Sequence, residues 1–259
     1  MALNTRNNVL VIGGSTGIGL ATAILSLSQL PGANVIVSSS SKDKLEKAVE
    51  TLKAGPTAKD KLIDYIVGDI SNFATQKDDV EAILKTATEK FPGGKIDHIV
   101  WTAAGPSSAT LGGNPTSQDA LTASTARVYG PLTLCHLAKT YMNDTRRSSI
   151  TISSGVLVYK PRPGIGQVLG AASMDVAARA LAVDLAPIRA NSVILGPVQT
   201  TLLDGLTKGK QEVADHLANA TLVKAIAGAD EAAEAYLYSM RCAFVTGSGI
   251  GCEGGMLIT

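Results

Sequence analysis

The sequence predicts an α/β fold, a three-layer doubly wound parallel sheet of seven strands, in one domain spanning residues 1–259. Three observations predict it. Short β-branched runs alternate with longer helical patterns from end to end, the mark of βαβ units around a parallel sheet. The strand segments are apolar at nearly every position, as strands covered on both faces must be. No repeat, low-complexity tract or shift in composition divides the 259 residues. A chain of this length buries roughly 75% of its unfolded surface and needs neither disulfides nor metal to hold a core.

The strands fall in order at Asn8–Gly13, Asn34–Ser38, Leu62–Val67, Ile96–Thr102, Ser149–Ser153, Ala190–Leu195 and near Ser248–Cys252. Helices fill the gaps. Leu20–Leu25 begins the first, and Ser41 stands at the N-cap of a second that carries Leu45 and Val49. Val80, Ile83, Leu84 and Ala87 fall at i, i+3, i+4 and i+7 on a third. Ala177–Leu185, rich in alanine and leucine, reads as a helix packed closely on its neighbours. Pro and Gly cluster at 105–115 and 160–170, after strands, at the end where open α/β sheets place their ligands.

Lys and Arg number 23 against 22 Asp and Glu, a net charge of +1 with no basic run, and three Phe with one Trp supply no stacking platform. Those features argue against nucleic acid as a partner. No apolar run reaches the length of a membrane span, and the first residues lack the apolar stretch of a signal peptide. Cys135, Cys242 and Cys252 lie far apart with no C-x-x-C spacing, which points to a reducing compartment and to no disulfide framework or zinc site. The expected location is the cytoplasm. His98, His136 and His216 are scattered, and His98 lies inside the apolar run Ile96–Trp101, so no metal is assigned and His98 reads as a hydrogen-bonded strand histidine.

Val9–Ile12 runs straight into Gly13-Gly14-Ser15-Thr16-Gly17-Ile18-Gly19, and a helix follows at once. Gly13 permits the tight turn, Gly17 lets backbone approach a pyrophosphate and Gly19 allows close contact of helix and strand, while the helix N-terminus offers free N–H groups to the anion. On the first strand of a βαβ series this spacing identifies a Rossmann-type dinucleotide site.

Further landmarks follow in order: Asp69-Ile70, Thr102-Ala103-Ala104-Gly105, Ser153-Ser154, Leu195-Gly196-x-Val198-x-Thr200, and Val245-Thr246-Gly247 through Gly254-Gly255. Together with the glycine turn they resemble the short-chain dehydrogenase/reductases over essentially the whole chain. The resemblance implies that Asp69 accepts from the adenine amino group and that Ile70 lies against its ring. Thr102 to Gly105 and Gly196, Val198 and Thr200 complete the implied cofactor contacts. It also implies a homo-oligomer, paired through helices near Thr125–Asn143 and Gln167–Ala186.

At the end of the second strand, where an acidic residue favours NAD, the chain has Ser38, Ser39, Ser40, Ser41 and Lys42. Hydroxyls and an ammonium suit a 2′-phosphate, so NADP(H) is the expected cofactor.

The resembled family uses a Ser, a Tyr thirteen residues later, a Lys four beyond it and an Asn on an earlier helix. Counted from Ser154, the Tyr position is Gln167 and the Lys position Ala171, and the Asn position is Arg127. No tyrosine of the chain has a lysine four residues on. A carbonyl that accepts hydride becomes an alkoxide and needs an acid beside it. An iminium needs none, and a conjugated acceptor can be served by a donor such as Ser154, Arg127, Tyr159 or Arg162. These four are the candidate catalytic residues.

Lys160-Pro-x-Pro-Gly164, Leu181-Ala-Val-Asp184 and Ile188-Arg-Ala-Asn191 also resemble a fungal branch of NADPH-dependent reductases of prenylated indole alkaloid biosynthesis, which reduce an iminium-type intermediate and guide a Diels–Alder cyclisation. That branch too lacks the Tyr/Lys pair and has an Arg where Arg127 stands. Where it has an Asp between the prolines this chain has Arg162, which weighs against carrying over the cyclisation.

The function so implied is a non-standard reductase of a small cationic or conjugated metabolite. Gly205–Thr221 is its expected substrate loop, with Leu202, Leu203 and Leu206 as apolar contacts. Two alternatives stand beside it: a catalytically silent NADP-binding protein, and a non-redox isomerase or cyclase. At single residues the alternatives are structural. Arg127 is then a guanidinium paired with Asp119 or Asp175, Ser154 caps a strand end, and Tyr159-Lys160 face solvent.

Overall fold

The computed structural model describes residues 6–104, 116–161, 165–207 and 209–259, with the backbone alone for 165–172 and Leu206. Gly105 and Arg162 lie outside the described residues, as do the side chains of Gln167 and Ala171.

Seven parallel strands form one sheet: β1 (Asn7–Ile12), β2 (Ala33–Ser39), β3 (Ile63–Val67), β4 (His98–Trp101), β5 (Ser149–Gly155), β6 (Arg189–Leu195) and β7 (Gly249–Cys252). Their order across the sheet is β3-β2-β1-β4-β5-β6-β7. The expected fold class is borne out. The helices are α1 (Gly17–Gln29), α2 (Lys42–Ala54), α3 (Gln76–Lys90), α4 (Ser117–Ser124), α5 (Gly130–Tyr141), α6 (Ile165–Asp184), α7 (Thr201–Thr207), α8 (Gln211–Asn219) and α9 (Ala229–Arg241).

The continuous apolar strands are explained by two cores, one on each face. Successive side chains of a strand point to opposite faces. Leu10 and Ile12 therefore join Ile36, Ile99, Trp101, Ile150 and Ile152 over α3 and α5, where Ile83, Leu84 and Leu134 meet them. Val9 and Val11 join Val35, Val37, Val100 and Val193 on the other face, under Ala23 and Leu27 of α1 and Tyr236 and Leu237 of α9.

Two strand boundaries differ from expectation by two residues, and the others agree to within one. Ile96 leaves the fourth strand to bridge Met142, so β4 begins at His98. The fifth strand runs on to Gly155 because its ladder with β6 continues through Ser154↔Ile194 and Gly155↔Leu195.

Two buried basic residues are built into the strands. Arg189 is 3% exposed and donates to the backbone carbonyls of Arg146, Ser239, Val245, Arg147 and Met240. His98 places Nδ1 2.9 Å from Ser149 Oγ and Nε2 3.2 Å from Asn7 Oδ1, the hydrogen-bonded strand histidine expected of it. Among the described residues no helix is long and apolar enough to cross a membrane.

The sheet order sets the site. β1 pairs with β2 on one side and β4 on the other, so the winding reverses there and a crevice opens beyond the carboxyl ends of both strands.

Candidate functional site

At that crevice the glycine turn is closed by backbone bonds from Gly13 N and Gly14 N to Ser38 O, 2.8 and 3.2 Å. Gly13 has φ +91°, and a Cβ there would lie 2.5 Å from Ala103 N. A Cβ at Gly19 would press on Gly13 O and sit 2.6 Å from Thr102 Oγ1. That hydroxyl in turn donates to Gly13 O at 3.1 Å, fastening the end of β4 to the turn. Gly17 differs. It has φ +54°, and its Cβ would meet only the Thr200 side chain, 3.2 Å away across the opening. Gly17 thus keeps a gap clear at the start of α1. Thr16, the N-cap, makes no side-chain cap bond, and the first turn carries no acid, so the N–H groups there remain available to an anion.

The crevice has a volume of about 840 Å³. Gly13, Ser15, Thr16, Gly17, Ile18, Gly19, Ser39, Ser40, Asp69, Ile70, Thr102, Ala103, Ala104, Gly196, Val198 and Thr200 all line it, so the structure brings these expected cofactor contacts together. Ser41 and Lys42 do not line it. Lys42 Nζ lies 3.7 Å from Glu46 Oε1 on the exposed face of α2, and Ser41 N donates to Ser39 Oγ; Ser41 holds the N-cap position without a side-chain cap bond. Asp69 Oδ1 accepts from Ser71 N at 2.9 Å. Ser38 also lines the cleft, with a buried Oγ that has no partner among the described residues.

The other half of the cleft is walled by Ser153, Ser154, Val156, Leu157, Leu202, Leu203, Leu217 and Met256. Leu202 and Leu203 are where the expected apolar contacts belong. Ser153 Oγ donates to Trp101 O at 2.9 Å and therefore accepts from Tyr236 OH at 2.6 Å. Burial pushes the Tyr236 phenol up from its ordinary value, so it stays a donor.

Arg127 enters the cleft from a π-helical turn, Thr125–Tyr129, between α4 and α5. Thr125 O accepts from Gly130 N within the turn, and two buried side chains brace it from outside: Gln76 Nε2 donates to Thr125 O at 2.6 Å, and Trp101 Nε1 to Ala126 O at 3.0 Å. Gly130 makes room for the Trp101 ring, which a Cβ there would strike at 2.4 Å in the absence of any shift.

The ion-pair alternative for Arg127 is overturned. Asp119 is engaged by Thr116 in a capping box, with 2.8 Å to its N and 2.7 Å to its Oγ1. Asp175 accepts from Tyr159 OH at 2.5 Å, Ser192 Oγ at 2.8 Å and Arg179 Nη2 at 3.0 Å. All 22 acidic side chains are among the described residues, and none forms an ion pair with Arg127.

Those bonds also correct the reading of Tyr159 as a catalytic donor. Its phenol is committed to Asp175, which raises its pKa, and it does not line the cleft. Lys160 is not a solvent-facing loop residue either. Its Nζ donates to Met256 O at 3.2 Å and Thr259 Oγ1 at 2.9 Å, holding the segment that brings Met256 to the cleft. Ser154 lines the cleft at the end of β5. No Tyr, Lys, His or Cys is among the described lining residues.

The model of an SDR-like Rossmann domain matches residues 2–259. The chain belongs to the short-chain dehydrogenase/reductase family. This family's Rossmann fold binds a nicotinamide cofactor, and its members are generally oxidoreductases. Among its relatives, short-chain dehydrogenase/reductase ATR9 of Stachybotrys chlorohalonatus is 32% identical over 254 residues, 97% of each chain. Short-chain dehydrogenase/reductase malC of Malbranchea aurantiaca is 32% identical over 254 residues, 97% of this chain and 94% of the relative. The solved MalC reductase/Diels–Alderase superposes with a TM-score of 0.88 at 30% identity, covering 98% of both chains.

Proposed function

We propose that the chain is an NADP(H)-dependent reductase that acts without the Tyr/Lys pair, on a small acceptor whose electrophilic carbon is already activated: an iminium or a conjugated system. One observation carries the reading. A single cleft joins the glycine turn to an end that holds Ser154 and Arg127 but no lining phenol or ammonium among the described residues.

The residues present fit a dinucleotide. The gap kept by Gly17, the open N–H groups of α1 and the buried, unpartnered Ser38 hydroxyl form a cradle for its phosphates and ribose. Ser39 and Ser40 offer hydroxyls where NAD enzymes have an acid, which supports NADP over NAD. When bound there, the nicotinamide supplies a hydride. The chain's own part is to orient the acceptor between Ser154 and Arg127 and to exclude water with Leu202, Leu203, Leu217 and Met256. The likeness to MalC, a reductase/Diels–Alderase, supports a coupled cyclisation in fungal secondary metabolism, while Arg162 weighs against it. Three free cysteines support a cytoplasmic location. Exposed Leu132 on α5 and Val176 and Val183 on α6 support a homo-oligomer through those helices.

A thermal-shift titration with NADPH, NADP⁺ and NADH tests the reading, because a ligand that binds only the folded chain raises its melting temperature. Selective stabilisation by NADPH, with loss of nicotinamide absorbance on an iminium or enone, is the expected result. Stabilisation without turnover of either acceptor class transfers the conclusion to a silent NADP-binding protein or a non-redox cyclase.

A further inference from the structure

Arg127 is the one cation among the described lining residues, and the other charged side chain there, Asp69, stands beyond β3 at the far side of the sheet order. No carboxylate pairs with Arg127. Its Nε is buried and has no hydrogen-bond partner among the described residues. The π-helical turn that carries it is held by Gln76 and Trp101, so the backbone from which Arg127 projects is placed by the fold. The same cleft is also lined by the apolar side chains of Val156, Leu157, Leu202, Leu203, Leu217 and Met256. A half-buried guanidinium with an unused donor calls for an oxygen acceptor, best an anionic one. A second cation held within roughly 6 Å would lose about 100-fold in affinity at an effective dielectric near 20.

Resting on the reductase reading, we propose that Arg127 selects neutral conjugated carbonyl acceptors and, with Arg162 in the chain where the iminium-reducing branch has an Asp, disfavours iminium ions. In the step so assigned, the β-carbon of a C=C–C=O unit gains the hydride and the π pair shifts toward oxygen. The enolate oxygen that results accepts an N–H from Arg127. The α-carbon then takes a proton from water to give the saturated carbonyl; the acceptor is reduced by two electrons and the nicotinamide oxidised by two. Arg127 stabilises the oxyanion but gives up no proton, since guanidinium stays protonated in proteins.

Two probes test this without turnover. 4-Nitrophenol reports its ionisation by absorbance, and its phenolate stands in for the enolate oxygen. N-methyl-3,4-dihydroisoquinolinium stands in for an iminium. Binding of each is measured with and without NADP⁺ to the wild-type chain and to Arg127→Met, with Arg127→Gln as a second uncharged variant should the first not melt cooperatively. The wild type is expected to bind the phenolate about 10- to 100-fold more tightly than the variant and the isoquinolinium more weakly. Equal phenolate affinity in wild type and variant, or an isoquinolinium that binds the wild type as well as the variant, overturns the proposal. NADPH thermal shifts on the same samples separate the two claims. A missing shift with the phenolate preference intact removes the reductase reading alone, and a normal shift without the preference removes only the role of Arg127.

Discussion

His98 makes the stability of this fold depend on pH in a window where few other groups act. The imidazole is 3% exposed at the start of β4. Burial, and then the charge of Arg189, hold its pKa down from 6.5 to about 3. Its neutral form is matched to its surroundings, with Nε2–H donating to Asn7 Oδ1 and Nδ1 accepting from Ser149 Oγ. Above pH 6.5 neither the folded nor the unfolded chain binds the proton, and the group adds no slope. Between 6.5 and about 3 the unfolded chain takes the proton and the folded chain does not, so stability falls as pH falls. At pH 5 the loss is about 2 kcal/mol, from about 1.5 units at 1.36 kcal/mol each. For a chain of this size that lowers the melting temperature by roughly 4–8 °C. Asp64 and Asp175, held below the usual carboxylate range despite burial by their hydrogen bonds and cations, lose their contribution only at lower pH. Urea unfolding of the wild type and His98→Gln from pH 7.5 to 5 is the assay. The variant is less stable at neutral pH, but its stability should be nearly flat over the range. Parallel slopes for the two proteins would refute the account.

Other substitutions probe the site and its supports. Gly17→Ala forces an alanine to φ +54° with one mild contact and should cost about 1–2 kcal/mol and weaken NADPH binding, while Gly19→Ala, aimed at Gly13 O, should disrupt the turn outright; paired melting curves and NADPH titrations distinguish them. Arg189→Leu leaves backbone carbonyls of α9 and two loops without donors and should cost at least about 3 kcal/mol in denaturant unfolding. Gln76→Leu strips a donor from Thr125 O and Ile70 O, so it should destabilise by about 1–3 kcal/mol and weaken phenolate binding through Arg127. Restoring Gln167→Tyr with Ala171→Lys should not be required for reduction, and activity confined to that double variant would favour the silent-protein reading.

The sheet was legible because its signals are local. A run such as Val9–Ile12 covered on both faces reads as a buried strand whatever follows, and the glycine turn carries its own steric logic in a few residues. What escaped depends on distant partners. Nothing between Ser117 and Tyr141 announces a π-helical turn, because its support comes from Gln76, 49 residues before Thr125, and from Trp101. The commitment of Tyr159 to Asp175 and of Lys160 to the Met256–Thr259 segment likewise arises from tertiary contacts that no spacing encodes. Lys42 has the place in the chain of a phosphate ligand, but it does not line the cleft and lies beside Glu46 on the exposed face of α2.

With Gln167 and Ala171 in place of the Tyr/Lys pair and Arg127 in place of the Asn, what the site can do with protons changes. A phenol paired with an ammonium delivers its proton near neutral pH, and the rate then follows its ionisation. Arg127 stabilises negative charge without neutralising it, and the described lining residues include no His, Cys, Tyr or Lys to take over the transfer. With these side chains alone, the proton that completes reduction of a conjugated acceptor comes from water after the hydride has arrived. The rate of the hydride step, read in single turnovers as loss of nicotinamide absorbance, should then be flat roughly between pH 6 and pH 9, where none of the described lining side chains ordinarily titrates. A limb with an apparent pKa inside that range would mean that an acid outside this lining serves the reaction, and oxyanion stabilisation by Arg127 would no longer suffice as the account of catalysis.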